Sequence, residues 1–371
     1  MNPKSILNLF SILVLFFSLS FVLPIIVSIS FNDGALLVFV KTLVAILFVG
    51  LIGLVITRNV KSELSQKDGF VIIVMFWVVL SLAGAIPFYL SGMSLIDSIF
   101  ESMSGITTTG ATVISNLDGL PESILFYRQL LQWMGGMGLI VLAIAVMPLL
   151  GIGGGQIYKT EVPGAMGEQR LTPRIKETAQ ALWIIYLGLT IVCGFLYYIN
   201  GMSAFDAISH AMSTVAIGGF STHDESIGFF NSISIELICM TFMLLSAFSF
   251  ALHYFALYKK KPLKYVFDPE LKFFVSFILL IFLIALIISL FASGPSTPSF
   301  RELSFHTVSI VSTTGFSIGD SSEWPFSISF LLLIGAFVGA CSGSVGGGIK
   351  SWRIMIMLNH AYKNIMKIIH P

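Results

Sequence analysis

The feature that most constrains the fold of this chain is a succession of apolar runs, each long enough for a helix to cross a bilayer. A hydrocarbon core of about 30 Å requires about 20 apolar residues in a helix. Only 11% of the residues are charged, far below the roughly 25% of soluble domains. We therefore predict an all-α polytopic membrane protein. Its eight crossings are predicted near residues 9–31, 36–57, 70–90, 124–150, 178–200, 231–257, 271–293 and 326–349.

The distribution of Lys and Arg predicts the orientation of these crossings. Cytoplasmic loops carry an excess of both residues. With both termini in the cytoplasm, all but three of the 20 basic residues fall on the cytoplasmic side, the exceptions being Lys41, Arg128 and Arg301. This basic face is interpreted mainly as that bias, with a docking surface as the alternative. The opposite side collects acidic residues, which either attract cations or are ordinary solvated loop charges.

Three polar stretches between crossings are copies of one another. Each contains a glycine, and the three glycines are about 109 and 96 residues apart. Each glycine follows a serine by six residues and an acid by thirteen. The glycines are Gly110, Gly219 and Gly315, and the acids are Asp97, Asp206 and Glu302. A fixed period of this kind indicates one structural unit used three times.

Each unit is predicted to be a span, a short helix of roughly ten residues, a re-entrant pore loop and a return span. Non-helical backbone at membrane depth is tolerated where it is buried in protein or lines a watery path. The negative ends of the three helix dipoles would favour a cation at the loops. Backbone carbonyls can then replace the hydration shell of the ion. The alternative is a repeated tight turn without function. The repeated acids are expected to cap the short helices, with direct ion contact as the other possibility.

The repeat divides the chain into four parts. We predict an N-terminal two-helix hairpin (1–68) followed by three pore repeats (69–177, 178–270 and 271–371). The first run resembles a signal peptide but is too long and lacks a cleavage pattern, so it is interpreted as a retained helix. The three cysteines lie far apart in apolar runs and are interpreted as buried thiols without metal or disulfide roles.

At this point a family resemblance becomes specific. The motifs SGITTTGATV, RQLLQWMGGMG, STVAIGGFSTHD, VSTTGF and CSGSVGGGIKSWR resemble the membrane subunits of Trk-type potassium-uptake systems, in the Trk/Ktr/HKT superfamily. The resemblance covers essentially the whole chain. It implies a multi-pass protein of the cytoplasmic membrane that carries potassium through a selectivity filter and is not an enzyme. It also implies a homodimer in membrane lipid, paired with a cytosolic nucleotide-binding regulatory subunit of the TrkA type. No cofactor in this chain and no nucleic acid partner are expected.

The resemblance also implies which residues bind the ion. One glycine per unit lies in the filter, and glycine in the first unit accompanies potassium preference, whereas serine there accompanies sodium transport in some relatives. The ion-binding positions implied are Thr108, Thr109, Gly110, Ala111, Ile217, Gly218, Gly219, Phe220, Thr313, Thr314, Gly315 and Phe316.

Two glycine clusters lie in return spans. Successive glycines weaken a helix interior by about 1 kcal/mol each, so we expect the last span to break below the filter. The resemblance implies that this break is a gating loop, with close helix packing as the alternative. Its glycines are Gly343, Gly346, Gly347 and Gly348. Gly135, Gly136 and Gly138, in the first return span, are interpreted as packing residues or as part of the path.

The chain departs from the family pattern in one respect. The family has a fourth pore unit, and no fourth glycine loop occurs here. The explanations we considered are a truncated sequence or gene fragment, a split protein with its last unit on another chain, and a diverged three-unit assembly. The function expected is therefore potassium uptake. The alternative is an incomplete or split, non-conducting fragment. A carrier with inverted repeats fits less well, because each loop enters from the same face.

Overall fold

A computed structural model describes residues 3–58, 66–138, 175–292 and 297–369 of the chain. These residues form helices joined by short loops, so the all-helical fold class is confirmed. The helices before residue 139 are α1 (Pro3–Ser20), α2 (Val22–Phe31), α3 (Leu36–Ile56), α4 (Gln66–Leu90), α5 (Leu95–Ile106) and α6 (Glu122–Trp133). Those after residue 174 are α7 (Ile175–Ile199), α8 (Ala204–Val215), α9 (Ile233–Ala247), α10 (Phe250–Leu257), α11 (Lys264–Phe267), α12 (Pro269–Phe291), α13 (Phe300–Val311), α14 (Phe326–Phe337) and α15 (Ser351–Ile369).

The first two apolar runs fold as neighbouring helices. Helices α1 and α2 form one run of 29 residues, interrupted at Phe21, and this run packs along α3. Small residues allow the close approach, because a methyl group on Gly53 would overlap the hydroxyl of Ser11. The contact continues one turn earlier, where Gly50 lies against the side chain of Leu15.

The remaining helices repeat one pattern. In each unit a long helix (α4, α7 or α12) leads to a helix of 12 residues (α5, α8 or α13). A loop follows and leads into a return helix (α6, α9 or α14). The long and short helices of each unit are in contact, as are the short helix and the return helix. The three units therefore share both their order and their internal packing.

Not every predicted crossing is a straight helix. In the described part of the chain, four helices are long and apolar enough to cross a membrane, or five if a bent pair counts as one. The bent pair is α9 and α10, which meet at 97° although the sequence predicts a continuous span over 231–257. Helix α6 runs into a π-helical turn (Met134–Gly138), and residues 139–150 of the same predicted crossing lie outside the described residues. The count of eight crossings stays a prediction.

The last predicted span, 326–349, also stops halfway. Helix α14 ends at Phe337 and is followed by the strand β1 (Val338–Gly339). This strand pairs in parallel with β2 (Ile349–Lys350), which leads directly into α15. The sequence-based expectation of a broken helix is thus met, but a two-residue β-pair closes the break.

The distribution of buried residues fits lipid as the solvent. Large apolar side chains are exposed along the long helices, including Phe291 at 85% and Leu290 at 75% on α12. The buried residues form three clusters, one centred on the N-terminal helices and the first unit, and one on each later unit. The three cysteines are buried and unpaired, as expected.

Candidate functional site

The three short helices begin in the same way. A serine just before each helix accepts a hydrogen bond from the backbone N–H of the acid three residues later, at 3.0–3.2 Å. The pairs are Ser94 with Asp97, Ser203 with Asp206, and Ser299 with Glu302. Such caps satisfy N–H groups that have no partner inside the helix, and a carboxylate in the first turn is favoured by the dipole. The N-caps are therefore the serines, and only Glu302 takes the expected capping role, because its carboxylate accepts from the backbone N–H of Ser299 at 2.8 Å. Asp97 and Asp206 accept instead from the hydroxyls of the capping serines, at 2.7 and 2.8 Å.

The same helices also end alike. The residue after each C-cap lies in the left-handed region: Thr108 (φ 54°), Ile217 (φ 54°) and Thr313 (φ 68°). In the first copy, Thr108 N–H bonds to Gly105 O at 3.0 Å, and the next N–H bonds to Ser104 O at 2.9 Å. Both bonds recur in the other copies. This is the Schellman motif, which usually places glycine in the left-handed position. A threonine or isoleucine there costs about 1–2 kcal/mol, and all three copies carry this strain.

Each loop then turns at its glycine. We call residues 107–112, 216–221 and 312–317 the first, second and third loop. Gly110, Gly219 and Gly315 have φ of 77°, 80° and 90°, a conformation that glycine adopts readily. A methyl group on Gly110 would overlap the carbonyl oxygen of Gly218, and one on Gly219 would overlap the carbonyl oxygen of Thr314. The first loop thus packs on the second as the second packs on the third.

The three loops form an arc with one open side. Among the described residues, nothing lies within 4 Å of the position that a methyl group on Gly315 would take. Gly315 is exposed, and so are Thr109 and Ala111 of the first loop. Residues 216–218 of the second loop are buried. All twelve ion-binding positions implied by the resemblance lie in this arc.

In each unit, a buried side chain that the sequence analysis did not single out forms hydrogen bonds to residues just after the loop glycine. Four residues after each capping acid stand Glu101, His210 and His306, all buried. Glu101 accepts from Thr112 Oγ1 at 2.9 Å and from the N–H of Val113 at 3.2 Å. His210 Nε2 bonds to the Ser221 hydroxyl at 2.9 Å, and His306 Nε2 to the Ile318 carbonyl at 3.0 Å. The i, i+4 spacing within the aligned repeats was the available signal.

A histidine links the first two units near the start of the second short helix. His223 Nδ1 lies 2.5 Å from Asp118, which follows the first loop, and Nε2 lies 3.3 Å from Asp206. Its ring stacks on Phe229 with a centroid distance of 3.5 Å. Burial opposes the charged form, but the bonds to Asp206 and Asp118 outweigh it and raise the pKa of His223. When it is protonated, the imidazolium therefore links two carboxylates from neighbouring units.

The segment between β1 and β2, residues 340–348, lies against the second and third loops. The N–H of Gly347 donates to Thr313 Oγ1 at 2.7 Å. A methyl group on Gly346 would lie 3.2 Å from Ser312 O and 3.6 Å from the side chain of Ile217. Val345 packs close to Gly136 of the first return helix. Of the four predicted gate glycines, Gly346 and Gly347 are thus in contact with the candidate filter.

The bend between α9 and α10 holds this segment in place. A sharp bend leaves backbone groups without intrahelical partners. The Ser246 and Ala247 carbonyls accept from Val345 N–H at 3.3 Å and from Cys341 N–H at 3.1 Å. In return, Phe250 N–H at the start of α10 donates to Gly343 O at 3.0 Å. The return helix of the second unit and the broken span of the third therefore provide hydrogen-bond partners for each other's backbone groups.

The surroundings of Gly135 and Gly136 favour a role in helix packing over a role in lining the ion path. A methyl group on Gly135 would overlap the carbonyl oxygen of Ile106, at the end of the first short helix. One on Gly136 would lie 2.8 Å from the hydroxyl of Tyr186. The first return helix therefore needs small residues to approach the loop.

An acidic cavity of about 760 Å³ lies between the second and third units, on the side predicted to face outward. Five carboxylates and one guanidinium line it, namely those of Asp224, Glu225, Glu236, Glu302, Asp320 and Arg301. Arg301 is paired with Glu236 at 2.5 Å. In the part of the chain that the structure describes, no group of His, Cys, Asp and Glu has the arrangement of a metal centre.

Comparison with known proteins gives the class and then the family. The description of the family model that matches residues 36–371 is "Cation transport protein", and the family is TrkH. A Trk system potassium uptake protein TrkH from Halomonas elongata is 48% identical over 375 residues, covering 100% of this chain and 78% of the relative. The TrkH of Escherichia coli K12 is 41% identical with the same coverage. The crystal structure of the potassium transporter TrkH from Vibrio parahaemolyticus has a TM-score of 0.87, with 44% identity over 100% of this chain and 77% of that one.

The chain belongs to the TrkH family of cation transport proteins. The family resemblance drawn from the motifs is therefore confirmed. Membership also confirms a multi-pass protein of the cytoplasmic membrane, and a transport protein rather than an enzyme.

Proposed function

We propose that this chain is the ion-conducting subunit of a Trk-type potassium-uptake system. The relatives at 41–48% identity are named for potassium uptake. The observation that carries the proposal is the repeated loop: three copies of one strained backbone, in which Gly110 and Gly219 each pack against a carbonyl of the next copy. The ion passes along the inner face of this arc.

Potassium binds at the twelve loop positions through backbone carbonyls, as the substrate rather than a cofactor. Three short helices end at the loops, and the C-terminal end of a helix carries partial negative charge. Carbonyl dipoles and these helix ends favour a cation without a fixed counter-charge in the path. Among the described residues, the side of the arc between Gly315 and Thr109 is open. In the family that the motifs resemble, the loop of a fourth unit lies on this side.

Gly343, Gly346, Gly347 and Gly348 form the gate. They belong to the segment that touches the second and third loops and is held by the bend between α9 and α10. Displacing the segment would open the path beneath the loops. Two positive φ values, at Gly343 (72°) and Gly348 (71°), mark the ends of its turn and suit it to a change of conformation.

The remaining partners follow the family. The subunit forms a homodimer in membrane lipid and docks a cytosolic nucleotide-binding subunit of the TrkA type on its basic face. The described part of this face includes the lysines between α10 and α12. Movement there would reach the gate through α10, whose first N–H contacts Gly343.

Passive entry is sufficient for uptake. Moving one charge through a membrane potential releases about 2.3 kcal/mol per 100 mV, so a potential of about 150 mV supplies about 3.4 kcal/mol. At about 1.4 kcal/mol per tenfold ratio, this concentrates potassium a few-hundred-fold. No coupling ion is required.

Growth on limiting potassium tests the proposal. A host without potassium transporters, expressing this chain from its complete locus, should regain growth at low potassium. Absence of growth, with the protein present in the membrane, would count against the proposal. A variant with Gly219→Asp serves as the matched negative control, because its side chain would overlap the third loop.

A further inference from the structure

One face of the first return helix, α6, packs against the second loop. Arg128 and Gln132 lie one turn apart on α6, so their side chains share a face. Both are fully buried. Arg128 lies inside the protein, between the first two units.

Arg128 connects the first loop to the second, on the C-terminal side of each loop glycine. Its Nε donates to Glu101 Oε1 at 2.7 Å, and its Nη2 donates to Thr112 Oγ1 at 3.0 Å. Its Nη1 donates to the Ser221 carbonyl at 3.0 Å, and the guanidinium lies 4.3 Å from the ring centroid of Phe220. Thr112 and Ser221 occupy the same position in their loops, two residues after the glycine. The guanidinium therefore fixes the spacing of the two loops at that level.

Gln132 holds the second loop at two atoms and the preceding helix α8 at a third. Its Nε2 donates to the carbonyl of Gly218 at 2.7 Å. Its Oε1 accepts from the Ser213 hydroxyl at 2.7 Å and from the N–H of Phe220 at 3.1 Å. The Gly218 carbonyl is the group against which Gly110 packs. A single side chain of the first unit thus sets both the second loop and its contact with the first.

The junction between the second and third units differs from the junction between the first and second. Between the second and third units, Gly228 N–H donates to the Ser317 carbonyl at 3.2 Å, and Ser317 N–H to the Ser226 hydroxyl at 3.2 Å. These contacts use backbone and a short hydroxyl rather than long buried side chains. The junction between the first two units is thus the one that is built on long buried side chains.

We propose that Arg128 and Gln132 are positioning residues that set the preference for potassium over sodium. This inference rests on the proposed function. In this proposal the two side chains do not bind the ion themselves. They act by fixing the positions of the Gly218 carbonyl and of the residues that follow Gly219. Discrimination between two cations of equal charge depends on the spacing and field of the coordinating carbonyls. Releasing the second loop from α6 should therefore alter selectivity more than the rate of transport.

The test compares potassium and sodium uptake by whole-locus variants in the transporter-deficient host. Gln132→Leu removes all three bonds. Gln132→Glu keeps the shape and the accepting oxygen but loses the donor to Gly218. Each should lower the potassium-to-sodium uptake ratio about tenfold, which corresponds to about 1.4 kcal/mol. Arg128→Lys, which keeps a charge near Glu101 but cannot make three directed contacts, should lower the ratio less.

Gln129→Leu is the matched control. Gln129 is a buried glutamine on the same helix, and within the described residues neither of its side-chain polar atoms has a hydrogen-bond partner. Its variant should keep the wild-type ratio. A purely structural role for Gln132 would reduce the amount of protein in the membrane but leave the ratio per molecule unchanged.

The outcomes separate this inference from the proposed function. If the wild type takes up no potassium, the proposed function fails. If the wild type is selective and membrane-inserted Gln132→Glu keeps its ratio, the positioning role is overturned. Should Gln132→Leu fail to insert, the isosteric Gln132→Glu decides alone. A lowered ratio in Gln132→Glu but not in Gln129→Leu supports the inference.

Discussion

At the residue scale, the three loop glycines share a conformation but not an environment. Each has a φ that a side chain would strain, at a cost of about 1–2 kcal/mol. A methyl group on Gly110 or Gly219 would also overlap a carbonyl oxygen, whereas one on Gly315 would meet nothing within 4 Å in the described structure. The three positions should therefore respond unequally to the same substitution.

We expect Gly110→Ala and Gly219→Ala to lower the melting temperature of the purified protein more than Gly315→Ala does. Gly315→Ala carries only the conformational cost of about 1–2 kcal/mol. Thermal unfolding in detergent, with uptake measured in parallel, checks the order. Equal losses at all three positions would show that conformation alone, not loop-to-loop packing, controls them.

His223 predicts a dependence on external pH. A raised histidine pKa gives stability that is complete below the ordinary value of 6.5 and is lost as the pH rises through the raised value. The charged groups facing the ring are Asp118 and Asp206, with the buried His210 nearby at 6.4 Å between ring centroids. Alkaline pH should therefore loosen the link between the first two units.

The measurement is the difference in melting temperature between wild type and His223→Gln as a function of pH. Wild type should be the more stable at pH 6, and the difference should shrink by pH 9. A difference that is constant with pH would mean that the imidazole acts by stacking on Phe229 and not by its charge.

The residues that could be predicted from the sequence were those with a repeated signal. The glycines and the acids recur in identical register, so their positions at the turn of each loop and at the start of each short helix followed from the alignment. Glu101, His210 and His306 also recur in register but differ in chemistry, and the shared bracing role was hidden because a carboxylate and an imidazole look unrelated. The contacts of Arg128 and Gln132 link separate units, which no local pattern reports.

At the element scale, the break after α14 was predictable and the bend before α10 was not. Five glycines between residues 339 and 348 weaken a helix in a way that propensity describes. The 97° bend has Phe248 and Ser249 at its centre, with neither proline nor glycine. It is stabilised by hydrogen bonds to residues 341–345, about a hundred positions away. Tertiary contacts of this kind override the local preference of an apolar run.

Deleting Gly346–Gly348 should raise the open probability. The deletion removes the N–H that binds Thr313 Oγ1 and shortens the segment that lies against the second and third loops. Single-channel recording or ion flux in vesicles measures the effect. Unchanged or lower flux, with the protein correctly inserted, would favour a packing role for these glycines.

Thr313→Val provides a milder version of the same experiment. It removes the oxygen that accepts from Gly347 but keeps the branched shape in the left-handed position. Ion flux should also rise, but by less than in the deletion variant. Thr313→Ser, which keeps the hydroxyl, is the control and should behave as wild type.

At the scale of the whole molecule, the sequence predicted the class of protein and the threefold repeat, because both depend on periodic signals. It predicted neither the close packing of one loop on the next nor the exposed flank of the third loop. These features depend on how the units pack around an axis. The arc of three loops, open beside Gly315 in the described structure, is the part of this chain that we propose carries out the cation transport of the family.

The most direct test of the central claim is the position of the ion itself. Crystals of the protein grown with rubidium, a potassium substitute with a strong anomalous signal, should show an anomalous peak on the inner face of the arc, among Gly110, Gly219 and Gly315. Rubidium peaks elsewhere in the membrane region, with none among the three loops, would contradict the account.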